Sequence, residues 1–147
     1  MDDINILLVD DDEDDRIFFA EALKELGMPH HIVMAKGCTD LFEILQKGES
    51  FDVIFLDINM PVIDGRECLK KIKFHESYKN IPVIIYSSSS YAEDVEDTYK
   101  AGAHYYFIKP YAHINLLSSL KIIFSMNWKK TQMVPIREDY IIKILYN

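Results

Sequence analysis

Five short apolar runs punctuate the chain, and a segment with helical spacing follows each one. The runs cover residues 4–9, 32–35, 53–56, 83–86 and 105–108. They are almost continuously apolar rather than alternating, which is the signature of strands buried on both faces. Between and after them the period lengthens to that of a helix, over residues 16–26, 39–47, 65–74, 92–101 and 114–128. Phe19, Leu23 and Leu26 form one such stripe. Leu41, Ile44 and Leu45 form a second, Cys68, Leu69 and Ile72 a third, and Leu117, Leu120 and Phe124 a fourth. Gly27, Gly48 and Gly102 stand just past helical segments, where a left-handed cap is common, and Pro82 opens the fourth strand. Strictly alternating strands and helices predict an α/β fold: a doubly wound, five-stranded parallel sheet with five helices. In that architecture the ligand site lies beyond the carboxyl ends of the strands, at the point where strand order reverses.

Those ends carry polar groups. The first strand runs into Asp10-Asp11-Asp12, the third into Asp57, the fourth into Ser87-Ser88 and the fifth into Lys109-Pro110. The fold would gather carboxylates, a hydroxyl and an amine on one edge of the sheet. Asp10, Asp11 and Asp57 carry three formal negative charges and Lys109 returns one. Two like charges ~4 Å apart repel by roughly 4 kcal/mol at an effective dielectric of 20. So unbalanced a cluster calls for a divalent cation, and Mg²⁺ suits an all-oxygen site that also takes a phosphate. A phosphoryl group on Asp57 would raise its charge to about −2. Ser87, Lys109 and nearby backbone N–H groups are the donors available to answer it. The chemistry this favours is a carboxylate nucleophile accepting a phosphoryl group.

Composition narrows the setting. A chain of 147 residues fits one domain, and 49% hydrophobic residues suffice for its core. A net charge of −8 disfavours direct binding to nucleic acid. Acidic residues crowd the first 15 positions, and Asp12, Glu13, Asp14 and Asp15 read as capping and dipole-complementing residues of the first helix. Asp64 reads the same way for the third helix. Cys38 and Cys68 lack metal-ligand spacing and are expected to be reduced thiols. Met1-Asp2-Asp3 lacks the positive charge of a signal peptide, and no apolar run approaches the ~20 residues that span a bilayer. The expected location is cytoplasmic, without membrane insertion.

Four motifs in order carry a family resemblance: Ile6-Leu7-Leu8-Val9-Asp10-Asp11, then Asp57-Ile58-Asn59-Met60-Pro61-Val62-Ile63-Asp64-Gly65, then Tyr86-Ser87-Ser88, then Lys109-Pro110. Over residues 4–128 the chain resembles the receiver domains of two-component response regulators, in the single-domain, CheY-like form. The resemblance implies a flavodoxin-like sheet of order 2-1-3-4-5. It implies that Asp57 accepts a phosphoryl group from a histidine kinase or phosphotransfer protein. Asp10, Asp11, Asp57 and the backbone carbonyl of Asn59 would hold Mg²⁺. Ser87 and Lys109 would bind the phosphoryl group, and Tyr106 would turn inward as Ser87 moves. It further implies a cis Lys109–Pro110 bond, and side chains at Asn59 and Ser89 that modulate dephosphorylation.

Such a chain is no enzyme in the usual sense: it signals by altered protein–protein contact or by phosphorelay. A competing reading is a Mg²⁺-dependent hydrolase of the haloacid-dehalogenase kind, which needs an acid two residues after its nucleophile, where this chain has Asn59. A binding module that never takes phosphate would normally have lost an acidic, hydroxyl or lysine position, and none is lost. Tyr86, Tyr91, Tyr99, Tyr105 and Tyr111 crowd the last two strands, as ordinary packing or as a partner-binding face on the fourth helix and fifth strand. Residues 129–147 are expected to be a C-terminal extension, too short for a second domain. Their apolar run at 140–146 would pack on the domain or pair with a second copy in a homodimer.

Overall fold

The computed structural model describes residues 3–128 and 136–143. The five apolar runs are its strands: β1 (Ile4–Val9), β2 (His30–Ala35), β3 (Val53–Leu56), β4 (Val83–Ser87) and β5 (Tyr105–Ile108). All pair in parallel, in the order β2-β1-β3-β4-β5. The helices are α1 (Glu13–Leu26), α2 (Cys38–Gln46), α3 (Gly65–Phe74), α4 (Ala92–Lys100) and α5 (His113–Ser125).

The apolar character of the strands has its cause in two cores. Leu7, Val9, Ile54, Leu56 and Ile85 pack with Leu41 and Leu45 of α2, Leu69 and Ile72 of α3 and Val95 of α4. Their sequence neighbours Ile6, Leu8, Val53, Phe55 and Ile84 pack on the other face with Phe19 and Leu23 of α1 and Leu120 and Ile123 of α5. Successive strand residues point to opposite faces, so burying both faces requires both sets to be apolar. Free Cys38 and Cys68, far apart in sequence, are both buried in the first core.

Two helix ends differ from expectation by three residues, and the others by one at most. The first helix starts at Glu13, because Asp12 is its N-cap and accepts from the N–H groups of Asp14 and Asp15, leaving three acidic residues in the first turn. The last stops at Ser125 rather than 128. Met126 turns extended, and the Trp128 indole donates to the terminal carbonyl of Ile123 at 2.8 Å.

The C-terminal segment lies along β5. Tyr106 N–H donates to the Tyr140 carbonyl and Ile142 N–H donates to the Tyr106 carbonyl, each at 2.8 Å, in a parallel bridge between Tyr106 and Ile141. Tyr140 is fully buried, its hydroxyl 2.7 Å from Thr98 Oγ1 on α4. Tyr140 also meets Tyr99 and Tyr106 edge-on, and Arg137 pairs with Glu96. The segment covers a sheet edge that would otherwise offer unpaired backbone groups. The rest of the extension, 129–135 and 144–147, lies outside the described residues.

Candidate functional site

The chain passes from β1 out to β2 and returns to β3 on the far side of β1, so strand order reverses between β1 and β3. Asp10 and Asp57 follow these two strands directly. Sheet hydrogen bonding continues one residue into the site, from Asp10 N–H to the Ala35 carbonyl and from Asp57 N–H to the Val9 carbonyl, both at 3.0 Å. Lys109 is placed in the same way, its N–H donating to the Ser87 carbonyl at 2.8 Å. Extension of the sheet thus aims these side chains at one another.

Asp10 is fully buried. Its Oδ1 accepts from Asp12 N–H at 3.0 Å and its Oδ2 from Lys109 Nζ at 2.8 Å. Asp57 is 5% exposed; its Oδ1 accepts from Asn59 N–H at 3.2 Å and its Oδ2 lies 3.5 Å from Lys109 Nζ. Asp11 is exposed, yet one carboxylate oxygen from each of Asp10, Asp11 and Asp57 lies within 4.8 Å of the other two. Three hard oxygen donors so close suit a hard divalent cation. Exposed Asn59 sits two residues beyond Asp57.

Burial raises the Asp57 carboxyl to about 6, with Asp10 adding repulsion, although Lys109 and the Asn59 N–H favour the anion. Lys109 shifts the other way. Burial disfavours its charge, but hydrogen bonds to Asp10 and Asp15 and the charges of Asp57 and Asp10 outweigh burial and hold the ammonium above its usual range. The ammonium also sits 5.2 Å from the Tyr86 ring centroid.

The loop from β3 to α3 bends tightly behind Asp57. Gly65 N–H donates to the Ile58 carbonyl at 2.7 Å, and a Cβ at Gly65 would stand 2.0 Å from the Asp57 carbonyl oxygen. Only glycine permits this approach. Asp64 caps α3 by accepting from the N–H groups of Arg66 and Glu67. Val62, fully exposed, has φ 69°, a conformation that β-branched residues disfavour.

A second group of contacts leads away from Asp57. Ser87 is fully buried and its Oγ accepts from Ser89 N–H at 3.1 Å. The Ser89 hydroxyl donates to Asp94 at 2.5 Å, and its carbonyl accepts from the Tyr106 hydroxyl at 2.8 Å. Tyr106 is fully buried and already inward. The same residue is bound through its backbone by the C-terminal segment.

One expectation is extended and another is corrected. Asp15 is more than a helix-start charge: its carboxylate accepts from Lys109 Nζ at 2.8 Å. Ser89 joins Ser87 to Tyr106, through its N–H on the Ser87 hydroxyl and its carbonyl under the Tyr106 hydroxyl. Among the described residues every peptide bond is trans, Lys109–Pro110 included, the isomer that X–Pro bonds favour by about 0.5–1 kcal/mol.

Known proteins share this arrangement of elements. Residues 6–121 match the response regulator receiver domain model. The chain is 32% identical to chemotaxis protein CheY-3 of Vibrio cholerae serotype O1 over 121 residues, 82% of this chain and 92% of that protein. It is 31% identical to response regulator Rcp1 of Synechocystis over 136 residues, 88% of this chain and 92% of that one. The crystal structure of the Mn²⁺-bound form of Rcp1 superposes with a TM-score of 0.76 at 29% identity, over 90% of this chain and 99% of that one. The phosphorylated cyanobacterial phytochrome response regulator RcpA superposes with a TM-score of 0.79, also at 29% identity and the same coverage. With the five-stranded order, the strand-end carboxylates and the family match in agreement, the chain belongs to the response regulator receiver domain family.

Proposed function

We propose that this chain is a phosphoacceptor whose Asp57 takes a phosphoryl group from the phosphohistidine of a sensor kinase or phosphotransfer protein. The observation that carries the reading is the buried Asp57 carboxylate, close to Asp10 and Asp11 and facing the Lys109 ammonium. In the transfer, an Asp57 carboxylate oxygen bonds to phosphorus as the P–N bond breaks, and the electron pair leaves with the imidazole nitrogen. Asp10, Asp11, Asp57 and the Asn59 carbonyl are the ligands assigned to Mg²⁺, which when bound supplies positive charge to the phosphoryl oxygens. Lys109 pairs with one phosphoryl oxygen and Ser87 donates to another.

Ser89 and Tyr106 carry the change outward. When Ser87 moves toward the phosphoryl group, the Ser89 N–H bond to its Oγ must adjust, and with it the Ser89 carbonyl that holds the Tyr106 hydroxyl. The output is altered contact with another protein, or onward transfer of the phosphoryl group, in the cytoplasm. The receiver occupies residues 4–128. Residues 129–147 are an extension, and its described part docks on β5 of its own domain, which favours packing over a homodimer contact. Size-exclusion of a chain truncated at Trp128 checks this: a dimer converted to monomer would return the extension to a dimer role.

Incubation with acetyl phosphate and Mg²⁺, followed by intact mass, tests the proposal. One phosphoryl adduct is expected on the wild type and none on Asp57→Asn. No wild-type adduct, with beryllofluoride also failing to bind, would end the phosphoacceptor reading. Efficient turnover of phosphate monoesters would replace it with a hydrolase.

A further inference from the structure

Lys109 has three N–H donors. Two are taken by short bonds of 2.8 Å, to Asp10 Oδ2 and Asp15 Oδ2. The remaining near acceptor, Asp57 Oδ2 at 3.5 Å, lies beyond the usual N–H···O range. The Lys109 side chain is only 13% exposed and its ammonium stands over the Tyr86 ring. It is therefore held at three points, with its free donor toward Asp57.

The two anchors are not equivalent. Asp10 belongs to the carboxylate trio that can hold a cation, so its oxygens have a second claimant. Asp15 lies outside the trio, 94 residues from Lys109 in sequence and one-third exposed. Its backbone is fixed by the α1 cap, since Asp12 Oδ1 accepts from Asp15 N–H at 3.3 Å. We infer that Asp15 is a positioning residue for Lys109, anchoring the ammonium so that its free proton meets the phosphoryl group on Asp57. The inference rests on the phosphoacceptor reading and adds to it a residue that acts only through Lys109.

A purely electrostatic role predicts the opposite sign. The Asp15 carboxylate repels a nearby phosphoryl dianion, so removing its charge alone would strengthen anion binding. Loss of positioning would weaken it. The measurement is beryllofluoride affinity of the full chain at saturating Mg²⁺, with the rate of adduct formation from acetyl phosphate alongside. Asp15→Asn is expected to lower both by about three- to tenfold, the range for one charged hydrogen bond discounted for partial exposure. Asp15→Glu, which keeps the carboxylate, is expected to recover most of the loss. In a Lys109→Met background Asp15→Asn should cause no further loss, because the group it positions is gone.

Unchanged or tighter binding in Asp15→Asn would overturn the inference, as would an equal loss in the Lys109→Met background. If Asp15→Asn fails to fold, Asp15→Glu and Asp15→Ser are compared instead, and equal affinities in those two would count against the role. A wild type that takes neither beryllofluoride nor acetyl phosphate would sink the phosphoacceptor reading itself. A reactive wild type matched by Asp15→Asn would sink only the positioning role.

Discussion

The carboxyl end of the sheet and the outer edge of β5 treat buried polar groups in opposite ways. At the carboxyl end, Asp10 and Asp57 are buried together and one lysine serves both of them and Asp15. The result is a carboxyl pushed up to about 6. At the β5 edge, the hydroxyls of Tyr106, Tyr140 and Thr98 all have partners, and the backbone of Tyr106 is paired on both sides of its peptide unit. Satisfied buried hydrogen bonds stabilise a fold, whereas desolvated like charges strain it. The reactive end is held in place by its neighbours, so substitutions in the two regions should change stability in opposite directions.

The largest effect belongs to the edge. Tyr140→Ala removes a fully buried ring that packs on Tyr99 and Tyr106, and should cost about 3–4 kcal/mol in urea unfolding. A loss below about 1 kcal/mol would mean that the segment contributes little to this edge. At the other end, Asp57→Asn should stabilise the metal-free protein. The native carboxyl at about 6 lies above its ordinary 3.8, so its contribution is fully present below pH 3.8 and lost as pH rises through 6. That amounts to about 3 kcal/mol at pH 7 for this almost fully buried group. The difference between wild type and Asp57→Asn should therefore widen from pH 4 to 7, and parallel pH profiles would contradict the strained-carboxylate account.

A cation should relieve the same strain. At a hundredfold excess over its dissociation constant, Mg²⁺ should stabilise the wild type by about 2.7 kcal/mol. Asp57→Asn, lacking one of the three carboxylates, should gain clearly less in a thermal melt. The smallest effect sits in the β3–α3 loop. Val62→Gly should relieve the left-handed backbone at φ 69° and stabilise by about 1 kcal/mol. A net loss would show that the loop holds Val62 without strain.

Much of this was legible from sequence because the relevant signals are local. Both faces of the sheet are covered, so strands such as Val53–Leu56 are wholly apolar, and the polar residues that end four of the five runs mark the site. Asp10, Asp57, Ser87 and Lys109 could be read that way. Asp15 could not, because an acidic residue in the first turn of α1 already has a sufficient local reason, and its partner Lys109 is reached only through the fold. The link from Ser89 to Tyr106 was hidden inside a four-serine run, where one residue's carbonyl contact leaves no trace in the sequence. Docking of the C-terminal segment depends on register across β5, and an apolar run cannot specify which edge accepts it.

The proposed carrier of the phosphoryl group is Asp57, as a mixed anhydride. Borohydride reduces an aspartyl phosphate to homoserine, so peptide mapping after acetyl phosphate, Mg²⁺ and borohydride reads the site directly. Homoserine is expected at position 57 and at no other aspartate. Homoserine at Asp10, Asp11 or Asp15 instead, or a phosphoryl adduct that leaves position 57 as aspartate, would contradict it.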